Sequence, residues 1–210
     1  MMKKILMVWL LFVLLVLAVG VFLLFSETNH KIAQKVISRV TPNQFSTGGE
    51  ACLTKLAERG ITFKSMGTSA ENDICVIHDA VKIRNFPNTK LSGPVLLNCQ
   101  TAIDFANWLE EIEAKEVEHM GTYNCRKIRG STRTWSQHSF GSAVDISYIN
   151  GASVKDDWHK DNDKGRYLRK AGKAACNHFP NVLTPDTNHD HHNHFHIDNG
   201  PRGVLTTCAK

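Results

Sequence analysis

The chain has 210 residues, room for one domain of ordinary size rather than two. Its formal net charge of +5 is mild and scattered rather than gathered in blocks. That balance excludes a dedicated nucleic-acid surface, while attraction to an anionic wall or lipid surface stays open.

Lys3 and Lys4 precede an apolar run over residues 5–25. At 1.5 Å per residue, about 21 residues match a bilayer core of about 30 Å. A cleaved signal peptide shares the charged start, but Leu23, Leu24, Phe25 and Ser26 offer no small-x-small cleavage site. The expectation is therefore an uncleaved, single-pass anchor over 1–25. Its N-terminus is cytoplasmic by the positive-inside rule, and the chain from Ser26 onward is placed across the membrane. Residues 26–49 are polar, with Thr41-Pro42-Asn43 and Gly48-Gly49 as breakers, and read as a juxtamembrane linker. The folded domain is expected over 50–210.

Within it, Cys52, Leu53, Leu56 and Ala57 recur at helical spacing and Gly60 follows as a cap. A strand is expected over 61–63, and a strand or hairpin over 74–83. The loop signals Asn85, Pro87, Asn88, Gly93 and Pro94 come next. Thr101 and Asp104, in capping-box spacing, open a helix whose stripe is Ala102, Phe105, Trp108, Leu109 and Ile112, with Trp108 as a core anchor. Strands are expected over 117–125, 142–149 and 194–198. A second helix is expected over 165–179, carrying Tyr167, Leu168, Ala171, Ala175 and Phe179 on one side. The predicted class is α+β: a small antiparallel sheet with flanking helices carrying a metal site, preceded by one transmembrane helix.

The six cysteines, Cys52, Cys75, Cys99, Cys125, Cys176 and Cys208, lie outside the apolar run and form no C-x-x-C pair. On an exported domain they read as up to three disulfides rather than thiolate ligands, with fifteen pairings open.

Two segments carry chemistry. In the first, His138 and Asp145 stand seven residues apart with Gly141 between them to make a tight turn. The second is the histidine-rich run from His189 to Asp198, where His194 and His196 would share one face of a strand. Neighbouring antiparallel strands could bring His138, Asp145 and His196 around one ion with a fourth position left for water. Two histidines and a carboxylate with an open position are a catalytic zinc arrangement.

Ser136, His138, Gly141, Ala143 and Asp145 match the S-x-H-x-x-G-x-A-x-D signature of the D-alanyl-D-alanine metallopeptidases, and His194-Phe195-His196 matches their C-terminal H-x-H. The wider pattern resembles the extensin-like C-terminal domain family over about residues 51–203. It comprises Tyr123-Asn124-Cys125-Arg126, Ala175-Cys176 with Phe179 and Val182-Leu183, and His194-Phe195-His196-Ile197-Asp198. The resemblance implies a zinc fold shared with peptidoglycan peptidases, one Zn²⁺ on His138, Asp145 and His196, and a murein peptide substrate. Relatives in that clan carry a general-base Glu three residues before the last ligand. Here that position is Asn193, an amide without usable basicity. Penicillin-insensitive murein endopeptidases instead place histidines five and two residues before it, which His191 and His194 reproduce.

The expected activity is accordingly that of a zinc-dependent, endopeptidase-like murein hydrolase, anchored in a bacterial inner membrane with its C-terminal domain periplasmic. His194 or His191 would move the proton, Arg126 or Arg129 would face the developing oxyanion, and Ser136 would orient the metal-site loop or a substrate carboxylate. The alternatives are a non-catalytic peptidoglycan-binding module with a structural metal, and a wall amidase.

Overall fold

Leu53 and Leu56 turn inward from the first helix, α1 (Thr47–Glu58), and Gly60 ends that turn at a φ of +70°. These are the first elements of the computed structural model, which describes residues 47–208. Strands β1 (Phe63–Ala70) and β2 (Val76–Ile83) form an antiparallel hairpin. After the two-residue β3 (Lys90–Leu91) comes β4 (Val95–Asn98), which pairs with β2. Helix α2 (Cys99–Glu111) is capped by Asn98, whose side chain accepts from the Thr101 N–H at 2.8 Å. Thr101, expected at the cap, is instead fully buried.

The second half holds β5 (Glu116–Gly121), β6 (Ala143–Ile149), β7 (Ala152–Ser153), the short helix α3 (Val154–Asp157), α4 (Asp163–Ala175), β8 (Asn181–Leu183) and β9 (Phe195–Asp198). The α+β class holds, but the single small antiparallel sheet is corrected to two sheets. One is three-stranded, ordered β1-β2-β4. The other is ordered β3-β5-β6-β9-β8 with β7 on β6, and its β3–β5 pair is parallel. The strand expected over 61–63 begins at Phe63 and runs to Ala70. Its polar sequence hides it because β1 lies at a sheet edge, with only Gly67 buried.

The preceding transmembrane helix is also corrected. Among the described residues no helix is long and apolar enough to cross a membrane. The longest have 13 residues, about 20 Å at the α-helical rise. Residues 1–25, where the anchor was expected, and most of the 26–49 linker lie outside the described residues; α1 takes up the linker's last three positions.

Both sheets and the helices share one apolar core. Trp108 is its centre: the ring stacks 5.9 Å from Phe105, and its indole N–H donates to the Ala171 carbonyl of α4 at 2.9 Å. A buried tryptophan with its N–H satisfied joins helix to helix without an orphaned donor. All six cysteines are paired, as Cys52–Cys99, Cys75–Cys125 and Cys176–Cys208. The first joins α1 to α2, the second ties the turn just before β2 to the segment after β5, and the third ties the end of α4 to the C-terminal stretch.

Candidate metal centre

Alternation along β6 and β9 sorts the site from the core. Val144 and Ile146 of β6 and Phe195 and Ile197 of β9 are buried beneath the sheet, which leaves Asp145 and His196 on the other face. The two strands pair antiparallel with Asp145 directly opposite His196. The third residue arrives from a 3-10 turn, Gln137–Phe140, whose N-cap is Ser136 and which Gly141 closes at a φ of +60°.

Gly141 is required there on two grounds. Its backbone is left-handed, and a Cβ would lie 2.9 Å from Ile77 and 3.0 Å from the Asn98 nitrogen. Gly141→Ala is expected to cost about 1–2 kcal/mol for the backbone and about 1–3 kcal/mol for overpacking. Thermal melts and the metal content of the variant check this, since the same turn carries His138.

His138 Nε2 lies 3.1 Å from Asp145 Oδ2 and 3.2 Å from His196 Nδ1, and His196 Nδ1 lies 2.8 Å from Asp145 Oδ1. The outer ring nitrogens fix the tautomers. His138 Nδ1 donates to the Thr122 carbonyl at 3.0 Å, and a carbonyl can only accept. His196 Nε2 donates to Asp198 Oδ2 at 2.9 Å. Asp198 is held in turn, its Oδ1 accepting from Asn181 Nδ2 at 2.9 Å and from the Gly200 N–H at 2.7 Å. With both rings neutral, as metal binding requires, the inner nitrogens are lone pairs that converge with the Asp145 carboxylate on one point.

Three acceptors facing one another repel unless a cation or a proton sits among them. The protonation of the site shows that demand. Burial disfavours charge on both groups, yet hydrogen bonds from His138 and His196 hold the Asp145 carboxyl well below the ordinary carboxylate range. Burial likewise opposes charging His196, but hydrogen bonds to Asp145 and Asp198 raise it to about 9. The donor set fits a metal. Zinc bonds of about 2.0–2.2 Å at tetrahedral angles separate donor atoms by roughly 3.3–3.6 Å, so the spacings of 2.8, 3.1 and 3.2 Å here would open by a few tenths of an ångström around an ion. His138, Asp145 and His196 can thus hold a metal ion, with Thr122 and Asp198 as the outer partners that orient the histidines.

The centre opens into a cleft of ≈ 530 Å³, which Ser136, His191, His194, Arg126 and Arg129 also line. His194 Nδ1 donates to the Asn193 amide oxygen at 2.8 Å, leaving Nε2 as a lone pair 3.7 Å from Asp145 Oδ1. His191 Nδ1 does the same with Asn188 at 2.7 Å, and its ring lies 5.1 Å from that of His194. Burial, then the neighbouring charges of His194 and His196, bring His191 down to about 4. Burial lowers His194 too, outweighing the pull of Asp145. Both are neutral near pH 7. Ser136 is buried and its hydroxyl accepts from the His138 N–H at 3.4 Å, so it braces the turn. Arg126 and Arg129 are exposed on the rim. Arg126 donates to the Lys127 carbonyl and Arg129 pairs with Asp190 at 3.2 Å.

Sequence reasoning gave no role to Thr122 or Asp198. Thr122 acts through its backbone, which carries no residue signal. Asp198 was signalled by its spacing of two from His196, which puts both on one strand face.

Searches of curated proteins and of solved structures find no match. The family model described as extensin-like protein C-terminus matches residues 50–209, nearly all of the described domain and every residue of the centre. The chain belongs to the extensin-like protein C-terminal family.

Proposed function

We propose that the protein is a zinc-dependent hydrolase that cleaves peptide bonds of peptidoglycan, in the manner of an endopeptidase, in the periplasm. The observation that carries this reading is the convergence of His138 Nε2, Asp145 and His196 Nδ1 at the floor of an open cleft. Two imidazoles and a carboxylate suit zinc, and three protein ligands rather than four are the mark of a catalytic site. The ion, when bound, supplies an activated water and a Lewis acid for the scissile carbonyl. The likeness of the Ser136–Asp145 and His194–His196 motifs to murein metallopeptidases supports the wall substrate. The three disulfides fit an oxidising compartment.

The chain's own residues supply the proton chemistry. Asn193 stands where related peptidases carry Glu, and here it orients rather than abstracts. By accepting from His194 Nδ1 it presents Nε2 as the base. His191, fixed in the same way by Asn188, stands behind as a relay to solvent. Arg126 and Arg129 on the rim face the substrate.

Asn193 also favours a second reading, a wall-binding module that keeps the metal for structure alone. Digestion of purified sacculi separates the two. The zinc-loaded chain is expected to release soluble peptide-cleaved fragments identifiable by mass, to stop on chelation and to resume on adding zinc. His194→Ala is expected to keep its metal and lose at least about a hundredfold in rate. Sacculi that bind the loaded chain yet release nothing would establish the module, and fragments cut at the sugar–peptide amide would establish an amidase.

A further inference from the structure

Between Gly121 and Phe140 the chain has four cations, Arg126, Lys127, Arg129 and Arg133, and no acid. All four are exposed. They stand on an arm with a fixed backbone. The Cys75–Cys125 disulfide ties its base, and Lys127 bridges to Trp135 across it with the ammonium 5.7 Å over the indole ring. The Ile128 N–H donates to the Thr134 carbonyl at 2.9 Å, and Ser131 Oγ accepts from the Arg133 and Thr134 N–H groups. The arm returns at Ser136, whose N–H donates to the Arg126 carbonyl at 3.0 Å. Arg126, Lys127 and Arg129 therefore form one wall of the metal cleft in a preset arrangement.

The carboxylates lining the cleft are committed. Asp145 and Asp198 serve His138 and His196, and Asp190 is taken by Arg129. Among the described residues no carboxylate pairs with Arg126, whose guanidinium donates to the Lys127 carbonyl, or with Lys127, whose ammonium donates to the Thr132 carbonyl. The Arg129–Asp190 pair crosses from the arm to the histidine-rich turn with its side chains 82% and 49% exposed. Pairs this exposed contribute little to stability, so an incoming carboxylate displaces Asp190 at little cost. Arginine is suited to the exchange because its planar fork holds a carboxylate by two parallel bonds.

We propose that the arm recognises a carboxylate of the bound peptide, Arg129 exchanging Asp190 for it and Arg126 joining it, so that the cleft selects acidic peptides over their amidated forms. This rests on the reading of the cleft as a peptide site and names which peptides it takes. Asp190 then acts as an internal stand-in for the ligand.

The test compares a synthetic wall-type peptide with free carboxylates against its fully carboxamidated twin. Binding to the zinc-loaded full chain is read by calorimetry, with cleavage followed in parallel. The acidic form is expected to bind about tenfold tighter or better, an advantage that shrinks with added salt. Arg126→Gln combined with Arg129→Gln should bring the twins to within about twofold without moving Tm or metal content. Asp190→Asn should tighten the acidic form alone. Equal affinities, no binding of the acidic form, a preference that survives the double arginine variant, or polyphosphate binding as tightly as the acidic peptide each overturn the inference. Preference in binding with neither twin cleaved sinks the hydrolase and leaves the arm's role standing. Cleavage of both at equal KM does the reverse.

Discussion

Asp145→Asn is expected to leave the chain without metal. After loading with zinc and exhaustive dialysis, the wild-type chain should retain close to one ion and the variant almost none, read by elemental analysis. The amide keeps the size of the side chain but loses the charge and one of the two oxygens that lie 2.8 and 3.1 Å from the histidine nitrogens. An ion held by two neutral rings and an amide lacks the anionic ligand that offsets its own charge. Asp198→Asn provides a graded comparison. Asp198 is not itself one of the three metal-facing residues but bears on the centre through its hydrogen bond to His196, so the substitution should weaken zinc binding about 10–100-fold rather than abolish it. Stability follows occupancy. An ion at about a thousand times its Kd stabilises the native state by about 4 kcal/mol, so chelator should lower the Tm of the wild-type chain and leave that of Asp145→Asn unchanged. Full zinc stoichiometry in Asp145→Asn would remove the metal centre from consideration.

Reduction should damage the fold more than loss of the ion does. The three disulfides close separations of 47, 50 and 32 residues, and each is worth about 2–4 kcal/mol. Their sum, about 6–12 kcal/mol, rivals the whole stability of a domain, about 5–15 kcal/mol. Strong reductant is therefore expected to lower Tm by roughly 15 °C or more, with circular dichroism as the readout. Cys75–Cys125 has the most direct bearing on the site. It fixes the segment that carries the Thr122 carbonyl, so Cys75→Ser with Cys125→Ser should loosen His138 as well as the fold. A Tm unmoved by reductant would mean that the core alone sustains the domain.

Much of this was legible because the strongest sequence signals coincide with the deepest structural constraints. The stripe of Ala102, Phe105, Trp108 and Leu109 is wholly buried on α2, and the alternation around Asp145 and His196 does sort ligand from core. What the sequence hid has physical causes. β1 is an edge strand with little to bury, so Lys64, Ser65 and Thr68 left no apolar pattern. The two-residue strands β3 and β7 are too short to have a period. The cap of α2 fell to Asn98 rather than Thr101 because the Thr101 side chain is drawn into the interior, where Asn199 donates to it at 3.2 Å. The tautomers at the centre depend on a backbone carbonyl and on a side chain from β9, and neither is visible until the chain has folded.

The pairing of Asp145 with His196 carries one more consequence. Sliding β9 along β6 by a single residue would turn Phe195 and Ile197 to solvent and push His196 and Asp198 into the apolar interior. The same slip would set the carboxylate against the wrong neighbour and scatter the donor atoms. Only the correctly aligned sheet brings the three donors together, so an ion bound there would select against misaligned copies and report, molecule by molecule, that the strands have found their proper partners.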